Sequence, residues 1–135
     1  MSKADIKNVV RALLDTQILV MACLNPASLP KKVLALIEHD DSDLLISSVS
    51  LMEIAVKNAV GKIDMPRQVM RQAVSDLRLS ILPFDARHAY EMFGLPLHHR
   101  DPFDRMIIAT ALVEKIPLVG GDRQFKLYKG LHRIW

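Results

Sequence analysis

His98–Lys115, HHRDPFDRMIIATALVEK, is the stretch from which the rest of the chain can be read. Its apolar run from Met106 onward suits a helix of several turns, and DPFD supplies the start signal. Asp101 takes the N-cap and Pro102 the first helical position, where its missing N–H costs nothing. Asp104 falls in the first turn, where the helix dipole favours negative charge. Directly after this helix comes PLVGGD (Pro117–Asp122), a short apolar strand that ends in two glycines and an acid.

The same alternation extends toward the N-terminus. VVRALL (Val9–Leu14), DLLIS (Asp43–Ser47) and SILPF (Ser80–Phe84) read as short buried strands. DTQILVMACLN, PASLPKKVLALIEHD, SLMEIAVKNAVGK, PRQVMRQAVSDL and DARHAYEMFG read as helices, with Gly61 and several prolines as punctuation. A short helical turn and HRIW follow Asp122. Strands of this length alternating with helices predict an α/β domain with a mostly parallel sheet. At 135 residues, the chain fits one domain, 1–135.

Composition narrows the function classes. The chain is 50% hydrophobic and carries a net charge of +3, mildly basic and suited to an anionic partner. Cys23, the single cysteine, lies in the apolar run ILVMACL, reads as a core residue and forms no intrachain disulfide. No Cys/His metal spacing is present. MSKADIKN is too polar for a signal peptide, and no apolar run nears the ~20 residues of a membrane span. The expectation is a soluble cytoplasmic protein with no membrane partner.

In open α/β sheets, ligands bind beyond the carboxyl ends of the strands. Four acids map to that edge: Asp15 after the first strand, Glu53 at the start of the helix after the second, Asp104 at the start of the long helix, and Asp122 after PLVGG. Each has a capping explanation. SLME (Ser50–Glu53) has the form of a capping box, and Asp101, Asp15 and Asp122 can cap the turns they begin. Jointly they weigh differently. A cap contributes about 1 kcal/mol, whereas two carboxylates ~4 Å apart repel by roughly 4 kcal/mol at an effective dielectric of ~20. Four converging acids require a cation, and hard oxygen ligands suit Mg²⁺ or Mn²⁺. Carboxylate-held metal in a basic protein points to phosphodiester hydrolysis. Lys57, Lys62, Arg100, Arg105, Arg123 and Lys126 lie near the acids in sequence and are candidate phosphate contacts; Glu53–Lys57 and Asp101–Arg105 are also i,i+4 pairs. His98 and His99 read as a turn, and Phe103 and Met106 as core.

LLDTQILV, SSVSLMEIAVKNAVGKIDMP, LPLHHRDPFDRMIIATALVEKIPLVGGDRQFKLY and Trp135 together resemble the PIN-domain ribonucleases, specifically the VapC toxins of type II toxin–antitoxin systems. The resemblance runs from about Leu13 to Trp135 and is weakest between Arg67 and Ser80. It implies a three-layer fold with a mostly parallel sheet of about five short strands flanked by helices. It also implies a Mg²⁺-dependent (or Mn²⁺-dependent) endoribonuclease whose metal-binding and catalytic acids are Asp15, Glu53, Asp104 and Asp122, with Thr16 as the adjoining hydroxyl. Further implications are an RNA substrate, products with 5′-phosphate and 3′-hydroxyl ends, a homodimer, and a cognate antitoxin protein whose tail occupies the groove. The chain departs from the pattern at Gln17, Met52 and Gly121, where the family often has His, Trp and Thr. Gly121 lacks a hydroxyl that could steady the fourth acid, and it alone favours the rival expectation of a non-catalytic PIN-like binding partner.

Overall fold

The computed structural model describes residues 10–135; Val9, first in the expected opening strand, and the polar segment before it lie outside the described residues. The central strand, β1 (Arg11–Leu14), is followed by α1 (Thr16–Leu24), and α2 (Lys31–Glu38) leads into β2 (Asp43–Ser47). Next come α3 (Ser48–Ala59), α4 (Arg67–Asp76), β3 (Ser80–Leu82), α5 (Ala86–Glu91), α6 (Pro102–Glu114), β4 (Leu118–Val119) and β5 (Arg133–Ile134). The strand order is β3-β2-β1-β4-β5 and every pairing is parallel. The α/β expectation therefore holds, with the sheet wholly parallel.

The central strands are apolar over Ala12–Leu14, Leu44–Ile46 and Leu118–Val119 because both faces of the sheet are covered there. Side chains alternate across it. Ala12, Leu14, Leu44, Ile46 and Val119 face one cluster with Ile18, Leu19 and Val33. Leu13, Leu45 and Leu118 face the other, with Ile107, Ile108 and Phe125. The long helix α6 lies on this second face, as its apolar run requires, and its Phe103 and Met106 pack against the same cluster.

Three expectations need correction. PASLPKKVLALIEHD is not one helix: Pro30 cannot continue the turn Pro26–Ser28 and instead caps α2. SLME is not a capping box either. The N-cap of α3 is Ser47, whose hydroxyl accepts from the Val49 N–H at 3.0 Å, so Glu53 lies beyond the first turn. Lastly, Arg105 does not pair with Asp101; its guanidinium donates to the carbonyls of Leu95, Pro96 and His99 at 3.0–3.2 Å and pins that loop to α6.

Candidate active site

Asp15 leaves the sheet at the centre of its carboxyl edge, between the ends of β2 and β4. It precedes α1 but accepts no capping hydrogen bond, so the helix start does not account for it. The next residue, Thr16, donates its hydroxyl to Ser50 Oγ at 2.8 Å in a fully buried contact. That bond ties the first turn of α1 to α3 and explains why a serine sits inside α3 rather than at its cap.

One turn further along α3, Glu53 is 4% exposed. Lys57 donates to its Oε2 at 2.6 Å, and this bond raises the lysine's pKa further above its usual value. The other oxygen, Glu53 Oε1, and Asp15 Oδ1 are buried without a hydrogen-bond partner. Leaving an ionised oxygen buried and unpaired is costly, so a pair of them in one cavity needs an explanation.

The third side comes from α6 and the segment after β4. Asp101 caps α6 as DPFD predicts, accepting from Phe103 N at 2.8 Å and Asp104 N at 3.2 Å. Asp104, in the first turn, turns into the cavity. Asp122 uses Oδ1 to cap the short turn Arg123–Leu127 and Oδ2 to meet His99 Nε2 at 2.7 Å. His99 Nε2 also lies 3.1 Å from Asp104 Oδ2. The Asp101 N–H donates to His99 Nδ1 at 3.2 Å, which leaves Nε2 as the ring nitrogen that meets the two carboxylates. The imidazole is held against Phe125, with centroids 6.2 Å apart, and the His99 N–H donates to the Tyr128 hydroxyl.

All four acids named from the sequence line one open cavity of about 500 Å³, together with Lys57 and Trp135. Asp15 is pushed up to about 8, first by burial and then by the charges of Asp104 and Glu53. Asp104 is pushed up to about 6, first by burial and then by Asp101, with His99 opposing. The carboxylates therefore feel one another, the repulsion that the sequence argument required. The donor set fits a hard divalent cation: oxygen-rich, anionic, with two buried oxygens unsatisfied. His99, Asp104 and Asp122 can also each offer an atom within 4.8 Å of the others, adding one nitrogen donor. Of the basic candidates only Lys57 lines the cavity.

Gly120 and Gly121 do not adopt the left-handed backbone that would make them a tight turn; close approach is what excludes a side chain there. A Cβ on Gly120 would meet the Phe125 ring at 2.9 Å and Asp15 Cβ at 3.0 Å. One on Gly121 would meet the Trp135 indole at 2.7 Å. The ring fills the space beside Gly121, which accounts for the glycine by packing. Gly120→Ala is expected to cost about 1–3 kcal/mol by overpacking against Phe125. Denaturant melts with EDTA present check this, and parental stability would refute the close approach.

The PIN domain family model matches residues 12–131. The chain belongs to the PIN domain family. Nuclease activity is typical of PIN domains. The fold is similar to a chain of VapBC2 from Rickettsia felis bound to a DNA fragment from their promoter, at 21% identity and TM-score 0.69, covering 93% of this chain and 99% of that one. It is also similar to a chain of DNA-bound VapBC from Salmonella typhimurium, at 20% identity and TM-score 0.66, covering 93% and 98%. A third similar chain comes from VapBC-5 of Mycobacterium tuberculosis, a member of the VapBC family of toxin–antitoxin systems, at 21% identity and TM-score 0.56, covering 93% and 98%. No curated protein matches significantly in sequence.

Two residues of this PIN site were undervalued by the sequence. His99 read as part of a turn, yet it bridges two of the acids. Trp135 was a motif residue without a role. For His99 a signal existed: a histidine two residues before a helix cap can fold back over the helix N-terminus. No local signal places Trp135, which depends on β5 pairing with β4.

Proposed function

We propose that this PIN domain, residues 1–135, is a Mg²⁺- or Mn²⁺-dependent endoribonuclease and the toxin of a type II toxin–antitoxin pair. One observation carries the metal reading: Asp15 Oδ1 and Glu53 Oε1 are buried without partners in the cavity that also receives Asp104 and Asp122. These four carboxylates would hold the cation. When bound there, a divalent ion lowers the pKa of water and offsets charge on a phosphoryl oxygen. Lys57 holds Glu53 in place and neutralises one oxygen, leaving the other free for the ion. His99 fixes the orientation of Asp122 and Asp104 through Nε2. The cavity's open side admits a strand of RNA, and the protein's net positive charge favours its approach.

The similar VapBC structures support a cognate antitoxin as partner, and the expected setting is the cytoplasm; among the described residues no helix is long and apolar enough to cross a membrane. A homodimer also fits, on the ground of exposed apolar surface. ILVMACL and VLALI are largely buried or half-buried, whereas Met52, Val56 and Val60 form an exposed apolar stripe along α3. A monomer by light scattering would refute the dimer.

The decisive experiment incubates antitoxin-free protein with total RNA. Mg²⁺ or Mn²⁺ should support cleavage, EDTA should abolish it, and adding the ion back should restore it. Undiminished cutting in EDTA would sink the metal mechanism.

A further inference from the structure

The acidic cavity is larger than an ion needs. A water occupies about 30 Å³, so an ion with its hydration shell leaves much of the roughly 500 Å³ open. Trp135 is one of the residues that line the cavity and is 38% exposed. It is the chain's single tryptophan.

The indole is held firmly. The Gly120 N–H donates to the Ile134 carbonyl at 3.1 Å and the Leu118 N–H to the His132 carbonyl at 2.8 Å, which fixes β5 beside β4. Arg133 Nη1 donates to the carbonyls of Gly121 and Asp122, both at 3.3 Å. The segment carrying Trp135 is thereby tied to the segment carrying Asp122. Absence of a side chain at Gly121 then lets the ring lie directly against the backbone; a Cβ there would meet the ring atoms Cζ2, Cε2 and Cη2 at 2.7–3.0 Å. A large aromatic side chain in a carboxylate cavity has no part in holding a cation. It shares the cavity with the acids and is partly exposed, and stacking on an aromatic ring is how single-stranded nucleic acid is held without base-specific hydrogen bonds.

We propose that Trp135, seated on Gly121, stacks on a nucleobase next to the scissile phosphate and so positions single-stranded RNA across the carboxylates. The inference rests on the ribonuclease reading above. Trp135 is a substrate-positioning residue, and the sequence tolerance of stacking makes it a device for strandedness and register rather than for base identity.

Intrinsic fluorescence tests this directly, because all of the indole signal comes from Trp135. The protein is titrated with an adenylate oligonucleotide and with an abasic ribose-phosphate oligomer of equal length, each in Mg²⁺ and in EDTA. Quenching by the first and not by the second is expected. Trp135→Ala should raise KM for RNA about tenfold with little change in kcat, and Trp135→Phe should restore most of that loss. Mg²⁺ affinity of both variants should match the parent. Equal quenching by both oligomers, or parental kcat/KM in Trp135→Ala, overturns the inference while leaving the nuclease reading intact. If the parent cuts no RNA, the nuclease reading fails, and the comparison of the two oligomers still decides whether Trp135 stacks on bases.

Discussion

Glu53→Gln and Asp104→Asn are expected to yield folded proteins whose RNA cleavage falls by about 100-fold or more, since even residues that merely support a metal ligand cost up to that much. Each substitution keeps the shape of the side chain and removes the charge that would hold the ion. In EDTA, Asp104→Asn should be no less stable than the parent, because Asp101, Glu53 and Asp122 all repel the carboxylate it replaces. Glu53→Gln loses the Lys57 ion pair but removes a buried unpaired oxygen, and the two changes oppose. Ser47→Ala provides the contrast. It removes the N-cap of α3 and should cost about 1 kcal/mol while leaving cleavage intact. Thermal melts in EDTA and a cleavage assay on the same preparations separate the two behaviours. Parental cleavage by both carboxylate variants would reduce Glu53 and Asp104 to structural roles.

Metal-free protein should lose stability as the pH rises from about 4 to about 8. Asp15 titrates near its ordinary value when unfolded and near about 8 when folded, and Asp104 near about 6. Between those values the folded state binds more protons than the unfolded state, so stability falls with rising pH. Below pH ~4 both groups are protonated in both states and the contribution is complete; above pH ~8 it is gone. Mg²⁺ should reverse the trend, because it binds the ionised acids and stabilises most where they are fully charged. At 100 times its dissociation constant, a ligand specific for the folded state contributes about 2.7 kcal/mol. Asp15→Asn should flatten the EDTA profile and weaken the Mg²⁺ effect. Chemical denaturation across this pH range, with and without Mg²⁺, checks the sign; rising stability in EDTA would contradict the burial of Asp15.

The strands were legible because a sheet covered on both faces writes itself as apolar runs, and DPFD was legible because capping is local. The start of α3 was not. SSVS offers Ser47, Ser48 and Ser50 as caps, and the choice is made by Thr16, far away in sequence, which takes the Ser50 hydroxyl. Arg105 looked like a partner of Asp101 on spacing alone, but three carbonyls of a loop compete for it and win. The acids could be placed at one edge by topology, whereas the bridging position of His99 and the packing of Trp135 on Gly121 depend on contacts between segments that no window of sequence contains.

The order of strands in the sheet also governs when, during synthesis, the set of four carboxylates is completed. β1 is laid down first and pairs on one side with β2, which follows soon after, but its other neighbour, β4, arrives near the end of the chain. During translation, Asp15 and Glu53 can come together on the early half, while Asp104 and Asp122 are still unsynthesised. Domains begin folding from the N-terminus on the ribosome, and contacts between distant segments close slowly. The complete set of carboxylates thus exists only after α6 and β4 have emerged and docked. A ribosome-bound fragment that ends before α6 therefore lacks Asp104 and Asp122, and the carboxylate set is completed only by the last folding step.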